Sequence, residues 1–336
     1  MSSNPLRVAV VGVGHMGRHH ARIYSELPQA ELIAIVDHDL DRAGKCAAEY
    51  RTQPIRSIDE LPDVVQAVSL AVPTIHHRRL TEQLLNRGIA VLCEKPIAPT
   101  VEDAEAMLNC SRRTGSLLTV GHTERFNPVV RALSRLDILP KYIETTRISP
   151  FRFRSADIGV VSDMMIHDID IVLHLVKSPP ARIDAVGVNV LAGHEDVANA
   201  RVVFGNGAVA NLAASRLALK TDRRLRVFSE TAYLSVDYQR KTGIVIKRDA
   251  NLDILALAKD KDVDDLSQMA NIDFGELVKV EPLLVDDVEP LRAELEAFLH
   301  CVATGVPPIV TAEDGVAAVK LATDIVTAIQ THKWEG

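Results

Sequence analysis

VAVVGVGHMGRHHA, residues 8–21, opens as an apolar run, passes through Gly12, Gly14 and Gly17, and closes in a helical pattern. Each glycine of a GxGxxG turn between strand and helix has its own task. Gly12 permits the tight turn, Gly14 lets a pyrophosphate approach the backbone, and Gly17 lets the helix pack on the strand. The helix N-terminus then faces the anion, with His15 and Met16 in the loop beside it. A glycine turn in an unrelated α/β fold is the competing reading. The next apolar run argues against it: it covers residues 32–36 and ends in Asp37, 20 residues beyond Gly17. A carboxylate there accepts hydrogen bonds from ribose hydroxyls and repels a 2′-phosphate. His38 follows, where an NADP site would place an arginine, so the expected dinucleotide is NAD.

Working outward, further apolar runs at residues 67–72, 90–93 and 117–120 alternate with helical patterns near 18–25, 40–50, 77–87 and 102–114. TVED, residues 100–103, reads as a capping box for the last of these. Strand–helix alternation with apolar strands predicts a doubly wound parallel sheet covered on both faces. The pattern changes after Gly121. A helix is expected over 127–135, a strand over 142–147, a strand-rich stretch over 182–237 and two closing helices over 289–304 and 311–331. Within RVVFGNGAVANLAAS, Gly205, Asn206 and Gly207 supply a hairpin turn with positive φ. The fold class is α/β: a Rossmann unit over 1–121, then an α+β unit over 122–336 built on a large, open, mostly antiparallel sheet. Its last helices are free to pack back on the first unit. Residues 251–287 are Asp-rich and weakly periodic, and receive no assignment.

The chain has 336 residues, 47% apolar and 25% charged, enough for two packed cores. Its net charge of −7 argues against nucleic acid or an anionic membrane as the main partner. Cys46, Cys93, Cys110 and Cys301 form no CxxC pair and read as free thiols in a reducing compartment. No signal-peptide pattern opens the chain and no run is long enough to span a bilayer, so the expected location is the cytoplasm.

In an open parallel sheet the ligand sits beyond the carboxyl ends of the strands. VPT (Val72, Pro73, Thr74) and His77 follow one strand; Glu94 and Lys95 follow the next. A cation just past a buried strand suits the nicotinamide half better than a surface ion pair. The stretch SDMMIHDIDIVLH, residues 162–174, poses a second question. It is mostly apolar, yet Asp163, His167, Asp170 and His174 fall within about 60° of one another on a helix. A metal reading of His167, Asp170 and His174 lacks a fourth ligand, and no metal is expected. Asp170 and His174 read more simply as a buried hydrogen-bonded pair.

GVGHMG, Asp37, VPTxxH and EKP together resemble the glucose–fructose oxidoreductase/inositol dehydrogenase/rhizopine catabolism family of NAD(P)-dependent oxidoreductases. The resemblance runs to the ending PLRAELEAFLHCVATGVPPIVTAEDGVAAVKLA. It implies a Rossmann domain joined to an open-faced sheet, action on polyols or sugars, a homodimer or homotetramer, and a trio of Lys95, Asp163 and His167. VGHTERFNP, FRFRS and SDMMIHDIDIV resemble more narrowly the bacterial UDP-N-acetylglucosamine 3-dehydrogenases of lipid A and surface-sugar assembly. That match implies substrate contacts from Arg125 and Asn127, and from Arg152 and Arg154 toward a diphosphate, besides Asp163 and His167.

Oxidising a secondary alcohol requires a base for the hydroxyl proton and a cation for the developing alkoxide. His167 suits the base, Asp163 its orientation and Lys95 the cation; the alternative is Lys95 as base with His167 as donor. A dehydrogenase for another sugar, inositol or nucleotide sugar would use the same trio. So would an NAD-dependent glycoside hydrolase that oxidises and re-reduces its substrate, whereas a non-catalytic NAD sensor would not need it.

Overall fold

The computed structural model describes residues 4–151, 158–191, 193–248 and 278–334. Six strands form the first sheet: β1 (Leu6–Val11), β2 (Ala30–Val36), β3 (Gln53–Ile55), β4 (Ala67–Leu70), β5 (Ala90–Glu94) and β6 (Leu118–Gly121). Their order is β3-β2-β1-β4-β5-β6, and every pairing is parallel. The helices α1 (His15–Glu26), α2 (Leu40–Tyr50), α3 (His77–Asn86) and α4 (Val101–Thr114) alternate with them. The order reverses between β1 and β4, which opens a crevice at the carboxyl ends of these strands.

The sequence reading omitted β3. It has three residues, includes Pro54 and leaves two of the three exposed, so it lacks the apolar run that marks a buried strand. It also sits at the sheet edge, where proline is tolerated. The capping box at α4 is half formed. Thr100 accepts the Asp103 N–H, but the Asp103 carboxylate turns to Arg78.

The second sheet has eight strands: β7 (Tyr142–Ile148), β8 (Pro180–Val188), β9 (Val197–Phe204), β10 (Val209–Ser215), β11 (Asp222–Phe228), β12 (Ala232–Asp237), β13 (Thr242–Arg248) and β14 (Val278–Pro282). Their order is β14-β13-β12-β11-β7-β10-β9-β8, antiparallel except for the parallel pair β7–β10. In the β9–β10 turn only Gly207, of the two glycines expected to supply positive φ, adopts it (+85°). β14 falls in the segment left unassigned above; residues 251–277 lie outside the described residues.

Alternation gives this sheet two faces. Ile143, Ala210, Leu212, Leu225 and Val236 point inward and are buried. The helix α6 (Ile166–Val176) packs there against β7 and β10. A short helix, α5 (Pro128–Ser134), and two long ones, α7 (Pro290–Thr304) and α8 (Ala312–Thr331), complete the chain. Leu291, Leu295, Phe298 and Leu299 of α7 join Val8, Ile23 and Tyr24 in one apolar cluster, so α7 packs on the first sheet's layer. Helix α8 touches both α4 and α6 and bridges the two sheets. Among the described residues no helix is long and apolar enough to cross a membrane.

Candidate active site

A cleft of about 1130 Å³ lies between the carboxyl end of the first sheet and the second sheet. Its floor is the glycine turn. Gly12 has φ +84°, and a Cβ there would lie 2.7 Å from the Ala71 carbonyl oxygen. A Cβ on Gly17 would collide with the Gly12 carbonyl, so Gly17 packs the helix and does not line the cleft. Gly14 lines it with bare backbone that a Cβ would leave in open space, together with His15 and Met16. An unobstructed peptide at a helix N-terminus fits a pyrophosphate.

Asp37 is 5% exposed and organises this turn. Its carboxylate accepts N–H bonds from Val13 and Asp39, both at 3.0 Å. Arg42 and Arg56 line the same end, with Arg42 Nη1 3.8 Å from Asp37. The motif marks position 38 as the place for a cation, and Arg42 and Arg56 lie beyond it, so the motif does not signal them. Val72 and Pro73 line the cleft, whereas Thr74 and His77 do not. His77 is buried and staples two loops, with one ring nitrogen on the Val72 carbonyl and the other on those of Pro96 and Ile97.

Glu94 and Lys95 sit where the strand-end rule puts them. The Lys95 Nζ crosses the cleft and donates to the Asp163 carbonyl at 2.7 Å, with Asp163 Oδ1 at 3.4 Å. Asp163 belongs to a π-helical turn, Val161–Met165, that leads into α6. Such turns break the i→i−4 ladder and recur at functional sites. Glu195 anchors this one: its carbonyl accepts the Val160 N–H at 2.9 Å and its carboxylate the Val161 N–H at 3.2 Å. A Cβ at Gly159 would meet the Glu195 carboxylate, so the missing side chain is what lets Glu195 close against this turn.

His167 lines the cleft one turn beyond Asp163. Burial, then the charges of Lys95 and Arg147, push its imidazole well below the usual range, so it is neutral near pH 7. Its Nδ1 has no hydrogen-bond partner among the described residues. The remaining polar residues of the helix serve other neighbours. Asp170 holds Arg125 in a buried fork, at 2.6 and 3.0 Å, and does not pair with His174. His174 lies 3.4 Å from the Ser134 hydroxyl. Arg125 is thereby drawn behind the cleft wall and does not line it. Asn127 does, while its side chain caps α5 and donates to Glu124. Arg152 and Arg154 lie outside the described residues.

The sequence reading missed a second buried network. Arg147 grips Asp168 at 2.8 and 2.9 Å and Glu124 at 3.0 Å, and lies 5.3 Å from the Tyr238 ring centroid. Burial works against the Arg147 charge; Asp168 and Glu124 outweigh it. A signal was available, since Arg147 occupies an inward position of the β7 alternation. Among the described residues no cluster of three or more His, Cys, Asp or Glu side chains is placed to hold a metal.

Two sequence profiles match the chain. Residues 6–122 match an oxidoreductase family with an NAD-binding Rossmann fold, and 141–235 match the GFO/IDH/MocA C-terminal domain. The chain belongs to the GFO/IDH/MocA family. It is 35% identical over 314 residues to the UDP-N-acetylglucosamine 3-dehydrogenase of Acidithiobacillus ferrooxidans, covering 93% of this chain and 92% of that one. A solved structure of the A. ferrooxidans enzyme superposes with a TM-score of 0.86 at 32% identity, covering 97% of both chains. The inositol 2-dehydrogenase of Rhizobium meliloti is 25% identical, over 96% of this chain and 97% of that one. This GFO/IDH/MocA member is therefore an oxidoreductase, and its first sheet carries the family's NAD site. The bare peptide at Gly14 and the ordered Asp37 fit that cofactor.

Proposed function

We propose that the enzyme oxidises the 3-hydroxyl of UDP-N-acetylglucosamine to a ketone with NAD, ahead of an aminotransferase in lipid A or surface-polysaccharide assembly. The observation that carries the reaction type is the meeting of Lys95, Asp163 and His167 across the cleft. The full-length likeness to a UDP-N-acetylglucosamine 3-dehydrogenase supports the substrate. Arg223 and Lys241 line the second-sheet side of the cleft, where cations suit a diphosphate.

In this reading the neutral His167 takes the hydroxyl proton. Lys95, held by the Asp163 carbonyl, donates to the substrate oxygen as negative charge develops there. Asp163 keeps the ammonium in place. Bound NAD supplies the hydride acceptor, and Gly12, Gly14, Asp37 and Val72 position it. Residues 1–121 form the cofactor unit and 122–336 the substrate and assembly unit in this scheme, in a cytoplasmic enzyme.

Incubation with UDP-N-acetylglucosamine, NAD and a ketone-trapping aminotransferase is expected to raise absorbance at 340 nm. Release of free sugar without net NADH would overturn the proposal in favour of hydrolysis. Turnover of myo-inositol but not of the nucleotide sugar would overturn the substrate.

The outward face of the second sheet carries an aromatic ladder, Tyr142, Phe228 and Tyr233, with successive rings 5.5 and 4.8 Å apart. We assign this face to a second copy of the chain. Sedimentation equilibrium should give a dimer or tetramer, and Phe228→Glu should shift it toward monomer. A wild-type monomer at micromolar concentration would sink the assignment.

A further inference from the structure

The shorter contact of the Lys95 Nζ is with a main-chain atom: it lies 2.7 Å from the Asp163 carbonyl oxygen and 3.4 Å from the carboxylate. The ammonium is therefore placed by the course of the backbone and not by the Asp163 rotamer alone. That backbone is the π turn Val161–Met165, and the N–H groups that open it lie ahead of any partner within the helix. Glu195, in the loop before β9, supplies acceptors for two of them. Its carbonyl takes the Val160 N–H at 2.9 Å and its carboxylate the Val161 N–H at 3.2 Å. The turn then closes on itself, with the Asp163 N–H 3.1 Å from the Gly159 carbonyl. Two glycines leave room for Glu195. A Cβ on Gly159 would meet its carboxylate, and one on Gly187 of β8 would lie 3.3 Å from its Cβ. The neighbouring Asp196 adds a second anchor. It is fully buried and holds Arg216 at 2.7 Å, and Arg216 donates to the Ile158 carbonyl at 2.8 Å.

We propose that Glu195 is a positioning residue for Lys95, a role that rests on the Lys95 chemistry proposed above: by capping the π turn from a separate loop, it fixes the Asp163 carbonyl that holds the ammonium. A π turn departs from the regular ladder, and its first N–H groups cost free energy unless an outside acceptor takes them. The Glu195 charge adds to the hydrogen bond, because an anion is favoured at a helix N-terminus. Without this cap the turn is free to rewind toward a regular helix, and the Asp163 carbonyl moves relative to Lys95. Misplacement of a reacting group by about 1 Å can cost about 10²-fold in rate. The cofactor side is left alone, since Glu195 itself does not line the cleft.

Glu195→Ala should lower kcat with UDP-N-acetylglucosamine and NAD by about 10–100-fold and leave NADH affinity within about threefold of wild type. Glu195→Gln keeps an acceptor oxygen for the Val161 N–H and should stay within about threefold of wild-type turnover. Gly159→Ala should reproduce the Glu195→Ala loss by driving the carboxylate away, and the two together should cost no more than either alone. It also replaces Glu195→Ala if that variant does not fold. The deciding comparison is Glu195→Ala in a Lys95→Ala background. A residue that acts through Lys95 has little left to act on there, so its effect on kcat should shrink to under about threefold. Without cofactor or sugar, hydrogen exchange of residues 159–165 should quicken by at least about tenfold in Glu195→Ala. Equal losses in both backgrounds, or unchanged exchange, would overturn the proposal and leave Glu195 a packing contact. Near wild-type turnover in Lys95→Ala would bring down the reaction scheme, and the role of Glu195 with it, while quickened exchange would still stand. If wild type oxidises myo-inositol and not the nucleotide sugar, the same cycle is read with myo-inositol, since it compares variants and not substrates.

Discussion

His167→Ala is expected to lower kcat by about 10²–10⁴-fold, the usual contribution of a positioned general base. Lys95→Ala should cost about 10²–10³-fold, as for loss of one donor to a developing oxyanion. NADH affinity should change by less than about threefold in the His167 variant, because its imidazole lies on the second-sheet side. The pH profile separates the roles. The depressed imidazole keeps His167 neutral well below its ordinary pKa of about 6.5, so the acid limb of kcat/KM should lie below that value. The stability linkage has the same sign. Neutral His167 contributes stability that is present above pH 6.5 and lost as pH falls through the depressed folded value. Near wild-type turnover in either alanine variant would remove that residue from the reaction. An acid limb above pH 6.5 that survives in His167→Ala would transfer the base to Lys95.

The nucleotide end was legible because its constraints are local. The glycines, the following helix and Asp37 fall within one strand–helix–strand unit, so their spacing alone fixes which backbone atoms face the anion. The pairing of Lys95 with Asp163 spans 68 positions and is set by the π turn, which no periodicity reveals. A regular helix puts Asp163, His167, Asp170 and His174 on one stripe, and all lie on one turn-and-helix segment. Their partners nevertheless differ: Lys95 for Asp163, the open cleft for His167, Arg125 for Asp170 and Ser134 for His174. Arg125 illustrates the other failure. The ERFNP pattern marks it as special, yet its guanidinium is consumed by Asp170 behind the wall. A charged residue in a loop can as readily serve a buried pair as a ligand, and sequence does not say which.

Arg147→Leu should be the most damaging substitution to stability, at about 3–5 kcal/mol, measured by urea denaturation at pH 7.5. The loss comes less from the missing attraction than from what remains. Asp168 has a side-chain exposure of 1% and Glu124 of 14%, and both would stay ionisable in the interior without their cation. Arg147→Lys keeps the charge but cannot make the two-pronged contact, and should fall between the leucine variant and wild type. The double substitution Arg147→Leu with Asp168→Leu should recover part of the loss, since it removes the stranded carboxylate as well. The same network reaches the reaction. Arg147 is one of the charges that hold His167 neutral, and it lines the cleft while gripping Asp168. Removing it should therefore move the acid limb of kcat/KM to higher pH, while Arg147→Lys leaves the limb nearly in place. If Arg147→Leu costs under about 1 kcal/mol, water already screens the triad and it cannot tune His167. If stability falls as expected but the limb stays fixed, the network is scaffold alone, and the depressed imidazole rests on burial and Lys95.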